Sequence, residues 1–397
     1  MRTAFVVSAL AFIVPALSAP TVIPIAKRAG AVKPDSFIVK FKDSASPSSA
    51  LAHLAEKLRT SDSSITHTYT VWPGFAAILK GDNLDYVRRM PEVSSVEEDS
   101  ILSLFEHEIA APDTVPPRIA EHYDALIGRG SESGAKGNGV TIYGIDTGIY
   151  TGHDCFGRRA KFGKNFIEGE SDQDENGHGT HTAGTAACSE YGGAGGAEVI
   201  AIKVLDKNGS GPLSGVMAGV NWAHEDRKIG DKVAIATMSL GAEDILGLQK
   251  SLDEAVKNAI AHGLHFTIAA GNSNKDAQSF TPARVQGANT VGAVDTSKNN
   301  QKASFSNYGE SIDVWAPGVN IKSAWIGSSG AENTISGTSM ATPYVAGVLA
   351  EALSTHGQMS PADLSKALQE HASQTVTFAP TDTLAEKSSN KLFAVKW

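Results

Sequence analysis

From residue 140 onward, short apolar runs alternate with helical stretches, and nothing else in the chain constrains its fold as tightly. Residues 140–145, 199–204, 233–238, 264–270 and 290–294 have the length and the β-branched content of buried strands. Helical patterns fall near residues 213–224, 248–262 and 338–353. A run that is apolar on both faces fits a strand covered on both sides, and strands joined through helices run parallel. The expected fold class is therefore α/β, a parallel sheet with helices on both faces. Sheets of this kind place their sites just past the carboxyl ends of the strands.

Two polar residues fall at such ends. Asp146 closes the first run within Gly144-Ile145-Asp146-Thr147-Gly148, and Asn272 follows Ala269-Ala270-Gly271. Two further segments carry chemistry. Asn176-Gly177-His178-Gly179-Thr180-His181 puts a histidine at the entry to a helix, and Ile335-Ser336-Gly337-Thr338-Ser339-Met340-Ala341-Thr342-Pro343 puts a serine at the mouth of a long small-residue helix. The Ser339 N–H lies among the unpaired donors of the first turn, where the macrodipole favours the charge that develops when a carbonyl is attacked. Singly, each segment has a plain structural reading: aspartate and asparagine shape turns, histidine packs, serine caps helices. Together, aspartate, histidine and serine are the set that nucleophilic acyl transfer requires.

With 397 residues and 41% hydrophobic content the chain has room for two domains and a sizeable core. A net charge of −9 with no basic stripe argues against nucleic acid and anionic membranes as partners. After Met1-Arg2-Thr3, the apolar residues 4–17 are too short to span a bilayer but suit a signal-peptide core, with Ala16 and Ser18 as the small residues before a cut at Ala19. Residues 1–18 are thus expected to be a signal peptide, and the product extracellular. Residues 35–103 have their own rhythm: a strand at 37–41, a helix at 49–58, a turn into a strand at 72–79, a helix at 83–90 and an edge strand at 93–98. That is the β-α-β-β-α-β order of a small α+β ferredoxin-like module.

Between Phe105 and His122 the pattern breaks at Pro112, Pro116 and Pro117, as in an exposed linker, so the boundary is placed with one unit at 19–107 and the next at 108–397. Lys27-Arg28 reads as a processing site or as a solvated charge pair. Cys155 and Cys188 are the only cysteines, which in an oxidising compartment means one bridge or two free thiols. The bridge is the expectation, worth about 3 kcal/mol in the chain-entropy model.

The order Asp146, His178, Ser339, in the contexts Asp-Thr-Gly, His-Gly-Thr-His and Gly-Thr-Ser-Met-Ala-Thr-Pro, resembles the subtilisin-like serine proteases, most closely the fungal proteinase K type. Further matches span nearly the whole chain: Lys203-Val204-Leu205-Asp206, Asn208-Gly209-Ser210-Gly211, Met238-Ser239-Leu240-Gly241, Ala269-Ala270-Gly271-Asn272 and Ser304-Phe305-Ser306-Asn307-Tyr308-Gly309. The amino-terminal module resembles the family's inhibitory propeptide. By this resemblance Ser339 is the nucleophile, His178 the general base, Asp146 its orienting partner, and Asn272 shares the oxyanion hole with the Ser339 N–H. His181 is then a packed helix residue.

The resemblance also implies that peptide substrate adds as a strand between Gly209-Ser210-Gly211 and Ser239-Leu240-Gly241. The first specificity pocket is lined by Leu240, Gly241, Ala269, Ala270 and Gly271, so cleavage after hydrophobic or aromatic residues, broadly tolerated, is expected. The propeptide assists folding, is removed by Ser339 itself within about residues 103–112 and inhibits until degraded. The implied partners are protein and peptide substrates and the chain's own propeptide, and the enzyme is expected to be a monomer. No cofactor is required for catalysis. Family members often hold structural calcium, and Asp313 matches one carboxylate ligand, with the carbonyls of Gln286 and Ala288 as companions.

Some positions depart from the pattern. Tyr344 replaces a usual histidine, Ala242-Glu243 stands where a second glycine is common, and Pro212 removes an N–H donor after the Gly209-Ser210-Gly211 strand or starts the next helix. The sequon Asn208-Gly209-Ser210 lies in that substrate strand and is expected to be unmodified. Two other classes fit the sequence less well. An α/β-hydrolase esterase needs Gly-x-Ser-x-Gly, and Ala341 stands where the second glycine belongs. A silent peptide-binding protein would have no need of an intact Asp146, His178, Asn272 and Ser339.

Overall fold

The computed structural model describes residues 22–27, 30–105, 109–110, 137–244 and 250–397. The signal-peptide reading, Arg28 of the dibasic pair and most of the linker lie outside them.

The amino-terminal unit runs β1 (Ile25–Ala26), β2 (Val32–Phe41), α1 (Pro47–Leu58), β3 (Ser64–Tyr69), β4 (Gly74–Ile78), α2 (Asp82–Val87) and β5 (Val93–Ser103). Its sheet has the order β1-β5-β2-β4-β3, the split β-α-β motif expected, with β1 added. Period-two alternation gives this sheet two buried faces. Val39, Phe41, Phe75 and Ala77 pack with Leu54 and Leu58 of α1, whereas Ile38 and Ala76 join a core made chiefly by the second unit.

One expectation fails here, because β5 is not an edge strand. β2 flanks it on one side, while β1 and residues 210–212 of the second unit pair along the other. Alternation reports which face of a strand is buried and says nothing about its hydrogen-bonding flanks, here filled by distant segments.

The second unit contains β6 (Val140–Asp146), β7 (Ala160–Asn165), α3 (His178–Ala187), β8 (Glu198–Lys203), β9 (Ser210–Pro212), α4 (Leu213–Lys228), β10 (Val233–Met238), α5 (Lys250–Ala261), β11 (His265–Ala269), β12 (Asn289–Asp295), β13 (Val314–Pro317), β14 (Ile321–Ala324), β15 (Glu332–Ser336), α6 (Thr338–His356) and α7 (Pro361–His371). Its central sheet has the order β13-β12-β11-β10-β6-β8-β7, all parallel. Ile142 and Ile235 face α3 and α6, while Tyr143, Ile145, Ala234 and Ala236 face α4 and α5. The small side chains of Ala341, Ala346 and Ala350 let α6 lie close across the middle of the sheet. Cys155 and Cys188 are disulfide-bonded, tying the loop after β6 to the end of α3.

Candidate active site

Met238 pairs with both Ile145 and Ile268, so Asp146, Ser239 and Ala269 leave the sheet side by side at its carboxyl end. Asp146 is 2% exposed. Its Oδ1 accepts from the Thr147 N–H and from His178 Nδ1, each at 2.7 Å. A carboxylate on Nδ1 fixes the ring so that Nδ1 carries hydrogen and Nε2 is the side available to take a proton.

His178 is the first residue of α3, and two glycines allow it to sit there. Gly177 has φ +105°, and a Cβ on it would lie 2.5 Å from Trp325 Cζ2; a Cβ on Gly179 would lie 2.1 Å from the Gly148 carbonyl oxygen. His181 packs edge-on against Trp325, and its Nε2 lies 3.0 Å from the Ile321 carbonyl oxygen. The turn after Asp146 is held from below by Lys203, whose side chain is fully buried. Its Nζ donates to the carbonyls of Thr147 (2.9 Å) and Leu205 (3.0 Å) and pairs with Glu170 at 3.0 Å.

Ser339 lies in the first turn of α6. Pro343, four residues on, has no N–H for the Ser339 carbonyl. That carbonyl instead accepts from Ser239 Oγ at 3.0 Å, and Ser339 Oγ donates to the Ser239 carbonyl at 3.5 Å. Asn272, 1% exposed, accepts through Oδ1 from the Thr338 N–H (2.9 Å) and hydroxyl (2.8 Å). This orients the amide and leaves its Nδ2 buried without a hydrogen-bond partner among the described residues. A buried donor in that state costs free energy unless a ligand supplies an acceptor.

The two segments expected to hold substrate are joined by the chain's own strand. β5 pairs antiparallel with β9 (Ser103 with Ser210, Leu102 with Gly211, Ile101 with Pro212), the Leu104 N–H donates to the Gly209 carbonyl at 2.9 Å, and Ser103 bridges Gly241. Pro212 both ends β9 and provides the N-cap position of α4. Phe105, which follows Leu104, is 7% exposed. Its ring lies 2.7 Å from a Cβ built on Gly241 and 3.4 Å from one on Gly271, and meets Phe280 edge-on at 6.1 Å. Leu240 and Ala269 belong to the same apolar cluster, whereas Ala270 faces a different one.

Sequence reasoning missed Phe280, which comes from the segment paired with Ala242–Glu243 and carries no local signal. Glu243 forms an ion pair with Lys275 at 2.7 Å, joining the segments after Gly241 and Asn272. Tyr344, the other departure, is buried in α6.

Asp313 is remote from this cleft. Its Oδ2 accepts from the Thr290 N–H (2.8 Å) and its Oδ1 from Gln369 Nε2 (3.1 Å), and burial pushes its pKa up to about 6. It shares a polar cavity with Gln286, Gly287 and Glu310. Arg284 lines the same cavity. Carboxylates and amide oxygens are the donors calcium takes, so Asp313, Gln286 and Glu310 are of the right chemical type for the ion, which would compete with Thr290 and Gln369 for the Asp313 oxygens.

Comparison with known proteins agrees with this geometry. Residues 137–394 match the model of the subtilase family, and residues 36–105 match that of the peptidase inhibitor I9. The chain belongs to the subtilase family. It is 40% identical over 336 residues to subtilisin-like protease 2 of Pseudogymnoascus destructans, covering 83% of this chain and 82% of the relative. It is 38% identical over 397 residues to the subtilisin-like serine protease Pen ch 18 of Penicillium rubens, covering 88% and 79%. Among solved structures it resembles a cold-adapted subtilisin-like serine proteinase, at TM-score 0.60 and 39% identity over 68% of this chain and 93% of the other. This subtilase is accordingly a serine-type endopeptidase that carries an I9 inhibitory propeptide, and the cleft occupied by β5 and Phe105 lies between the two matched regions.

Proposed function

We propose that this subtilase is a secreted endopeptidase of broad specificity, made as a zymogen, that prefers hydrophobic or aromatic residues before the scissile bond and first cuts its own chain between Phe105 and Glu106. The observation that carries this reading is Phe105 itself, seated between Gly241, Gly271 and Phe280 at the end of a strand bound as a substrate would be. On the far side, Ile109–Ala110 pairs with Ile335–Ser336, so the described chain resumes beside the segment leading into Ser339. The cut thus falls two residues before the boundary expected from sequence.

In this reading Ser339 Oγ attacks the peptide carbonyl while His178 Nε2 takes its proton, and that proton later passes to the leaving amine. Asp146 holds the ring and stabilises its charged form. Asn272 Nδ2 and the Ser339 N–H receive the developing oxyanion. After the cut, the propeptide stays in the cleft as an inhibitor until it is degraded. The enzyme acts as a monomer on proteins and peptides, does not engage nucleic acid or membrane, and needs no cofactor for chemistry. Asp313 and neighbouring carbonyls hold a calcium ion that stabilises the fold. Secretion rests on residues 1–18 and is checked by finding the processed protein in culture medium.

Expression of wild type beside Ser339→Ala tests the central claim. Wild type should yield a chain beginning at Glu106 that hydrolyses casein, whereas the variant keeps its propeptide attached. Processing of Ser339→Ala at the same bond would exclude self-cleavage. A wild type that hydrolyses no peptide and takes up no serine-directed phosphonate would end the enzymatic reading.

A further inference from the structure

The loop before α3 is rich in acidic residues, and nothing in its sequence sets Asp174 apart from Asp172 or Glu175. Burial does: Asp174 is 6% exposed, whereas Asp172 and Glu175 are exposed. Its Oδ1 accepts from Thr147 Oγ1 (2.9 Å), the Asn176 N–H (3.1 Å) and the Gly177 N–H (2.9 Å). Its Oδ2 accepts from the Thr180 N–H (2.9 Å) and hydroxyl (2.6 Å).

These donors belong to two separate pieces of chain. One is the start of the helix that begins with His178, where a carboxylate satisfies unpaired N–H groups and complements the macrodipole. The other is Thr147, which follows Asp146, gives its N–H to the Asp146 carboxylate and accepts the Gly179 N–H on its own hydroxyl at 2.9 Å. One buried anion therefore ties together the turn carrying Asp146 and the turn carrying His178.

We propose that Asp174 is a positioning residue for the Asp146–His178 pair: acting through Thr147, it sets the separation of the two turns and the orientation of the imidazole on the Asp146 carboxylate. The inference rests on reading His178 as the general base. Two accepting oxygens are required as well as shape, because an amide in place of the carboxylate would turn N–H donors toward the N–H groups of Gly177 or Thr180.

The test compares Asp174→Asn, Thr147→Val and Thr147→Ser in the full chain, with kcat expressed per site titrated by a serine-directed phosphonate. Asp174→Asn and Thr147→Val are expected to lower kcat by about 10- to 100-fold with KM changed less than about 3-fold, since displacement of reacting groups acts on the chemical step. Thr147→Ser keeps the hydroxyl and should retain wild-type kcat. Thr147→Val leaves the anion in place and removes the link through which it acts, together with the Gly179 contact, so wild-type kcat in it overturns the proposal even if Asp174→Asn does not fold. A Thr147→Val precursor that stays uncut while Thr147→Ser is processed normally also supports the proposal. Wild-type kcat in Thr147→Val, or failure of Thr147→Ser to differ from it, overturns it. A wild type that takes up no phosphonate would instead overturn the proteolytic reading.

Discussion

The side-chain oxygen of Asn272 is committed to Thr338, so hydrogen bonding decides which end of a nearly symmetric amide is left to face a ligand. Replacement by alanine should lower kcat with little change in KM, because the donor meets an oxygen that carries charge only in the transition state. By the benchmark of subtilisin's own oxyanion asparagine the loss is roughly 100- to 1000-fold; steady-state kinetics showing raised KM at unchanged kcat would count against the role. Asp146, His178, Asn272 and Ser339 were legible because their small-residue surroundings keep a recognisable local pattern. Phe105, Phe280 and Asp174 were not. Phe105 reads as one apolar residue at the start of a polar linker and takes its place from Phe280, far away in sequence, about which local pattern carries no information. Asp174 reads as one acid among several: most of its partners are local, but its link to Thr147 is made by chain 27 residues away.

At the scale of elements, β5 and α4 complete one another. Pro212 occupies the N-cap position of α4 and has no side-chain acceptor to offer the helix. Asp99, within β5, fills that role from the other unit: its carboxylate accepts from the Ser214 N–H (2.8 Å), the Ser214 hydroxyl (2.6 Å) and the Ser36 hydroxyl (2.7 Å). Asp99→Ala should weaken the hold of the cut propeptide by about 2 kcal/mol, or roughly 30-fold, as for loss of a hydrogen bond to a charged group. The readout is the delay between processing and the appearance of peptidase activity, which should shorten; an unchanged delay would mean that the cap is dispensable. The strands and helices themselves were largely readable from period and length. The flanks of β5 were misread because strand pairing across units depends on docking.

For the whole molecule, the parallel α/β unit and the ferredoxin-like unit were both legible, since each buries a patterned core of its own. Their mutual arrangement was not, because the outer face of the small sheet carries a few apolar residues such as Ile38 and Ala76 that any core would accept. Calcium at Asp313, far from the cleft, would act on the fold as a whole. A chelator should therefore lower the unfolding temperature, with a stability loss of about 2.7 kcal/mol where the ion had stood at a hundredfold its Kd. The rate per titrated site measured below that temperature should not change, and a thermal midpoint indifferent to chelation would remove the ion from the proposal. The strand seated between Ser210 and Gly241 has one more consequence. A cleft that takes shape around its own chain cannot change its taste alone: any substitution at Gly241, Gly271 or Phe280 that admits a new side chain also loosens the seat of Phe105. Altered specificity then arrives together with leaky latency, unless residue 105 changes in step.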